Sequence, residues 1–403
     1  MKRLLFAILC VLSALNITGC NTTNEIVIGL NYEGSGALAP YGKALLYGAE
    51  LAVEEINASG GIGGQTVRLE KADNRSVGAE SAAAVLYLKS VKGADVIIGP
   101  ATSTLAKAAL SAEADILIIS PSATADELTA NTVGAGIARP KIPSSPSANI
   151  VAAPVGASIA HPQETPLISV KAGGIVNSSQ STTPFLRLCF SDSVQGSAMG
   201  EYANEQGFKK SAVLVDMSSD YSVGCAAAFR KSFSGKITFE GRFLSGDTDF
   251  SALVTELSKA DFDCIYLPAY YTEAGLIIRQ SREQGIDKTF LGGDAMDSPY
   301  LADVIGKPEY LHDIIYTDHF SYDQPRYKEF ARRYFERFGE NPPAYSALAY
   351  DSVMLYCETI RSVENSIFNT NSYQGVTGEI TIKENGDCEK QPVFVSLLEQ
   401  CNR

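Results

Sequence analysis

The sequence predicts an α/β protein of two lobes, each a mainly parallel sheet flanked by helices. Two observations carry that expectation. Short apolar runs suited to strands alternate with stretches of helical periodicity along most of the chain, the pattern of parallel sheets joined by crossover helices. The chain also has 403 residues, more than the ~250–300 at which a single hydrophobic core stops growing.

Taken in order, Ile26–Leu30 is the first strand. A helix over Tyr41–Asn57 follows, with Leu45, Ala49, Ala52, Val53 and Ile56 on one apolar face. Ser59-Gly60-Gly61 stops it, because glycine accepts the left-handed cap conformation. Val67–Leu69, a helix near Ala79–Val91, Val96–Ile98, Thr102–Ala114 and Ile116–Ser120 repeat the rhythm. A second series then places strands at Leu186–Phe190, Ala212–Val215, Ile237–Phe243, Cys264–Leu267 and Phe290–Leu291. Helices near Gly196–Gly207, Val223–Ser234, Phe250–Lys259 and Ala274–Gly285 alternate with them. Ile314–Phe320 leads to two more helices, Arg326–Phe338 and Tyr345–Ser362. Glu379–Lys383 and Val393–Leu398 read as a hairpin around Glu384-Asn385-Gly386-Asp387, since Asn-Gly suits a tight turn. Asn131–Ser181, with six prolines and few charges, breaks the rhythm. It reads as a surface insertion between the lobes, mostly disordered.

The first residues read as an export signal. Lys2 and Arg3 precede an apolar run, Leu4–Leu15, that is too short to span a bilayer, and Thr18-Gly19 stand before Cys20. That ending resembles a bacterial lipobox, which implies removal of residues 1–19, acylation of Cys20 and a lipid tether outside the cytoplasmic membrane, in the periplasm or at the cell surface. The formal charge is −13, and −15 once Lys2 and Arg3 are gone. Such a surface repels phosphate backbones, so nucleic acid is excluded as a partner. The cysteines form no CxxC pair and have no histidine beside them in sequence, so zinc-like spacing is absent and no metal or cofactor is expected. Cys189 and Cys264 sit in apolar runs and are read as core residues. Cys388 and Cys401 flank the last strand and could pair in an oxidising compartment.

Several motifs together point to one family. Gly48-Ala49-Glu50-Leu51-Ala52 with Asn57-Ala58-Ser59-Gly60-Gly61-Ile62, then Ile97-Ile98-Gly99-Pro100, open the series. Ser120-Pro121-Ser122-Ala123-Thr124 with Glu127-Leu128-Thr129, and Arg187-Leu188-Cys189-Phe190 with Gln195-Gly196, continue it. Asp249-Phe250-Ser251-Ala252-Leu253 and Gly375-Val376-Thr377-Gly378 carry it toward the C-terminus. In their order and spacing the chain resembles type I periplasmic solute-binding proteins of the branched-chain amino acid (Leu/Ile/Val) class that serve ABC importers. The resemblance implies two α/β lobes hinged by three crossings and closing over a ligand. It assigns 25–130 and 317–378 to lobe I, and 182–316 and 379–403 to lobe II. It implies a monomer that binds an amino acid, delivers it to a permease with its ATPase, and catalyses nothing itself.

An amino acid presents a carboxylate, an ammonium and a side chain. Backbone N–H groups at a helix start suit the carboxylate, and Ala101-Thr102-Ser103-Thr104 supplies such a start with hydroxyls. The resemblance maps the carboxylate-binding hydroxyl to Thr102 or Ser103. It assigns the Ser122 carbonyl and the Thr124 hydroxyl to the ammonium, with Ala123 between them and the Thr124 N–H helping the carboxylate. Asp294, after Phe290-Leu291-Gly292-Gly293, is the acid against the ammonium. Tyr41, Tyr221 and Tyr270 match the family's cleft aromatics, with Tyr271 a neighbouring candidate. The side-chain preference has no motif, so leucine, valine, phenylalanine or an amide ligand all stay open.

Two other functions are weighed. A lipoprotein of the same fold that presents its ligand to a receptor needs the same trap. A nucleotide-dependent enzyme rests on Gly34-Ser35-Gly36-Ala37-Leu38-Ala39, a GxGxxA fingerprint. Several residues separate it from Leu30, and none of His161, His312 and His319 sits in a recognisable catalytic constellation.

Overall fold

The computed structural model describes residues 25–130, 183–362, 367–368 and 372–401. The expected signal (1–19), Cys20 and the expected insertion (131–181) lie outside the described residues. The first sheet is built from β1 (Ile26–Tyr32), β2 (Val67–Asp73), β3 (Val96–Ile98), β4 (Ile118–Ser120) and β5 (Phe185–Arg187), in the order β2-β1-β3-β4-β5 with every pairing parallel. Its central strands are near-continuous apolar runs because helices cover both faces. Ile28, Leu30, Ile97, Ile98, Ile118 and Ile119 are fully buried.

On one face, α1 (Ala39–Ala58) packs against α11 (Ala344–Arg361). On the other, α2 (Gly78–Ser90) packs against α3 (Ser103–Leu110), with the short α4 (Glu127–Ala130) nearby. The α1–α11 approach depends on Gly48, where a Cβ would lie 2.0 Å from the Ser346 carbonyl oxygen.

The second sheet contains β6 (Lys210–Asp216), β7 (Lys236–Phe243), β8 (Cys264–Tyr266), β9 (Thr289–Gly292), β10 (Ile314–Asp318) and β13 (Val393–Ser396). Their order is β13-β10-β9-β8-β6-β7, and only the edge strand β13 runs antiparallel. Helices α5 (Asp192–Glu205), α6 (Asp220–Ser232), α7 (Ser251–Leu257), α8 (Tyr271–Glu283) and α9 (Leu301–Ile305) flank it. Ser191 and Ser219 cap α5 and α6 by accepting the Val194 and Ser222 N–H groups. α10 (Pro325–Phe338) returns to the first lobe and ends at Gly339 in the left-handed conformation. Cys189 and Cys264 are buried, as read from the sequence.

The lobe boundaries differ from the expected ones. Leu188, Phe320, Ile382 and Cys388 pack in the first lobe's core, whereas Met199, Tyr316 and Val395 pack in the second's. The three crossings therefore fall near 189–191, 317–319 and 389–392. The strand expected at 186–190 in lobe II is β5, shorter and paired to β4 in the first sheet. The expected insertion thus joins two elements of one lobe rather than two lobes. The C-terminal hairpin also divides. β12 (Gly378–Ile380) pairs with β11 (Tyr373–Gly375), while β13 joins β10. The Asn385-Gly386 turn forms as expected, with Ile382 bridged to Cys388. Gly386 has φ +86°, and a Cβ there would meet the Phe185 carbonyl oxygen at 2.2 Å, so the turn can seat only glycine against β5. Cys388 and Cys401 are both free, one buried in the first lobe and the other exposed on α12 (Leu397–Cys401).

Candidate functional site

The carboxyl ends of both sheets face one gap. The loops after β3 and β4 contribute Ala101, Thr102, Ser103, Ser122 and Thr124. From the other lobe come Tyr221 after β6, Tyr270 after β8, and Asp294 and Ala295 after β9, while Tyr345 at the start of α11 completes the wall. These ten residues line a partly open cleft with about 190 Å³ of space between them, part of it continuous with solvent. Seven residues named from the sequence thus meet at one cleft, as α/β topology favours.

Asp294 opens a short 3₁₀ turn after β9, with its N–H donated to Gln195 Oε1 at 3.2 Å. Its Oδ2 lies 3.0 Å from Nε2 of His319, a buried side chain that stacks on Phe190 with ring centroids 4.3 Å apart. Asp294 Oδ1 is also buried, and has no hydrogen-bond partner among the described residues. An unpaired buried carboxylate oxygen is costly. A cationic group arriving in the cleft relieves that cost.

The hydroxyl side is more pre-organised than expected. Ser103 Oγ accepts the N–H groups of Thr124 (3.1 Å) and Ala125 (3.0 Å). The Thr124 N–H is therefore committed inside the protein, while the Ser103 hydroxyl proton is free to donate. Ser122 donates to the Ala101 carbonyl at 2.9 Å. The N–H groups of Ala101 and Thr102 are directed at Glu33, whose Oε1 lies 3.1 and 3.3 Å from them. Burial pushes the Glu33 carboxyl up to about 7, although these bonds pull the other way. Asp192, which begins α5 and donates its N–H to the Thr124 carbonyl at 2.8 Å, is likewise raised by burial.

Ala123 and Tyr41 sit behind the wall. Ala123 is fully buried, its N–H on Ser120 Oγ at 3.0 Å. The Tyr41 hydroxyl donates to the Ala295 carbonyl at 2.6 Å and accepts the Tyr271 N–H at 3.2 Å, tying α1 to the opposite lobe. Its ring packs against those of Tyr270, Tyr271 and Tyr345, with centroids 4.8–5.8 Å apart. Burial, and secondarily the Asp294 charge, raises the Tyr221, Tyr270 and Tyr345 hydroxyls well above 10, so all three remain neutral donors.

Four further residues were not singled out from the sequence for the site: Arg187, His319, Glu33 and Tyr345. Arg187 is 1% exposed and donates to the carbonyls of Thr124 (2.7 Å) and Ala125 (2.9 Å). It also pairs with Asp387 at 2.6 Å, which locks the Thr124 loop to the Gly386 turn. Its sequence signals are its place in the Arg187-Leu188-Cys189-Phe190 motif and a cation inside an apolar strand run, neither of which points to the cleft.

Comparison with known proteins accords with this geometry. The sequence pattern of the periplasmic binding protein family matches residues 25–138 and 145–379. An amino acid binding protein of Pseudomonas aeruginosa is 27% identical over 339 residues, 82% of this chain and 76% of that protein. The solved branched-chain amino acid transporter substrate-binding protein of Streptococcus pneumoniae, in complex with isoleucine, superposes with a TM-score of 0.77. It is 32% identical, with 92% of this chain and 96% of that one covered. A solute-binding protein of an ABC transporter from R. palustris, solved with benzoate, gives a TM-score of 0.73 at 18% identity over 93% of each chain. That identity shows only a shared fold.

Proposed function

The chain belongs to the periplasmic binding protein family and is a binding protein, not an enzyme, and from that premise we propose that its cleft takes an apolar amino acid, branched-chain in the first instance, for delivery to an ABC importer. The observation that carries this is the buried, unpartnered Oδ1 of Asp294 on a cleft wall that also offers the Ser103 and Thr124 hydroxyls. A ligand with both an ammonium and a carboxylate meets both demands at once. Benzoate has no cation for Asp294, so the same observation disfavours an aromatic acid. The tyrosine walls suit an apolar side chain.

In this reading the carboxylate sits on the Ser103 hydroxyl with Thr102 beside it, and the ammonium bridges Thr124 Oγ1, the Ser122 carbonyl and Asp294. Tyr221, Tyr270 and Tyr345 bound the side chain, and Tyr41 fastens the closed lobes. Cys20 carries a lipid that keeps the protein near its permease and ATPase outside the cytoplasmic membrane.

Isothermal titration of the mature chain with L-leucine, L-isoleucine and L-valine tests the assignment. Asp294→Asn and Thr124→Ala should each keep the fold and weaken binding. Loss of a charge-assisted bond worth about 1.5–3 kcal/mol corresponds to a rise in Kd of roughly 10- to 150-fold for Asp294→Asn. Unchanged affinity in both variants would remove the assignment.

A further inference from the structure

Glu33 follows β1, is fully buried, and forms no ion pair among the described residues. Its carboxylate accepts the Ala101 and Thr102 N–H groups and lies 3.3 Å from the Thr102 hydroxyl. It therefore takes up the two amide donors that precede α3, at residues that also line the cleft. Gly42 of α1 presses on its backbone, where a Cβ would lie 2.1 Å from the Glu33 carbonyl oxygen, so the Glu33 main chain is held close against α1.

We infer that Glu33 is a positioning residue of the carboxylate subsite, and that a ligand carboxylate is bound together with a proton taken up by Glu33. This rests on the proposed seating of that carboxylate at Thr102 and Ser103. A ligand carboxylate on the Thr102 and Ser103 hydroxyls would stand one side chain away from the Glu33 carboxylate, whose Oε1 lies 3.3 Å from the Thr102 hydroxyl. Two buried carboxylates that close cannot both stay ionised cheaply. Among the described residues Glu33 has no paired cation to offset a second negative charge. Once it is protonated it stops competing with the ligand for the positive end of α3, and its own proton becomes a hydrogen-bond donor. Burial has already raised its carboxyl to about 7, so the proton is available near neutral pH.

The sign follows. Below about pH 7 Glu33 is largely protonated before the ligand arrives, and binding takes up nothing. Above it, binding draws a proton from solvent, and Kd rises by up to about tenfold per pH unit. The titratable group that senses the Glu33 charge is Tyr270, before α8, and Tyr41 on α1 packs against that ring. Across the cleft lie Asp192, Asp294 and His319. All of them remain in Glu33→Gln, which keeps an acceptor for the amides but cannot titrate.

The test is calorimetric titration of the mature wild-type chain with L-isoleucine at pH 6 and pH 8, in phosphate and in Tris, whose ionisation enthalpies differ. The expected result is an enthalpy difference between buffers at pH 8 equivalent to nearly one proton taken up, almost none at pH 6, and a weaker Kd at pH 8. Glu33→Gln should abolish both the uptake and the pH slope. Binding without uptake in the wild type overturns the inference with no variant needed, and so does uptake that persists in Glu33→Gln. Absence of binding by any apolar amino acid at either pH instead overturns the seating on which the inference rests.

Discussion

Asp294 presents one carboxylate oxygen to His319 and leaves the other buried with no hydrogen-bond partner among the described residues, an arrangement whose cost a cation in the cleft would relieve. Glu33 is the second residue whose chemistry is set by burial. Its folded-state value of about 7 stands above the ordinary 4.5, so the native state holds a proton that the unfolded chain releases first. The stability this contributes is complete below about pH 4.5 and is lost as pH rises through about 7. Glu33→Gln should therefore melt higher than the wild type at pH 8, by an amount on the order of 3 kcal/mol, with little gain at pH 4.5. Thermal denaturation of ligand-free protein at the two pH values checks this, and a smaller gain at pH 8 than at pH 4.5 would contradict it. Asp294, Thr124 and Ser103 were readable in the sequence because each follows a strand end in a short motif. His319, Glu33 and Arg187 were not, because the meaning of each depends on a partner far along the chain: Asp294, Ala101 and Asp387 respectively.

At the scale of elements, two close approaches hold the cleft's geometry. Gly48 brings α1 onto α11, the helix that carries Tyr345, and a Cβ has no room beside the Ser346 backbone. Gly48→Ala should cost about 1–3 kcal/mol through overpacking, seen as a fall of a few degrees in Tm that apolar ligand partly restores. Tyr41 joins α1 to the opposite lobe through Ala295. Tyr41→Phe removes a hydrogen bond worth about 0.5–1.5 kcal/mol. It should raise the ligand's dissociation rate roughly 2- to 10-fold with little change in association, measurable by stopped-flow fluorescence. Element types were predictable from the alternation of strand and helix periods, and most strands fall where expected. What local sequence lacked was which sheet a strand would join. β5 and β13 are short apolar runs that fit either sheet, and only pairing with β4 and β10 decides. The same applies to the tail, where the Asn385-Gly386 turn is a local signal but the partners of its flanking segments are not.

For the molecule as a whole, the two lobes meet through a small set of polar ties beside the cleft. Thr124 and Asp192 are joined by a backbone bond, Asp126 receives the Ser193 hydroxyl at 2.6 Å, and Lys107 reaches Asp220 at 3.3 Å. Exposed ties of the last kind contribute little, so the closed arrangement gains most when a ligand contacts both walls. Only a solute with differential affinity for the closed state shifts that equilibrium. The direct measurement is a thermal-shift screen of the mature, ligand-stripped chain against the twenty amino acids, with 4-methylpentanoate, benzoate, sugars and NAD alongside. A ligand at ~100 times its Kd stabilises its binder by about 2.7 kcal/mol, or several degrees. The account predicts such a shift for leucine, isoleucine or valine and none for 4-methylpentanoate, which lacks only the ammonium that Asp294 awaits. An equal shift with 4-methylpentanoate or benzoate, or none with any amino acid, would contradict it.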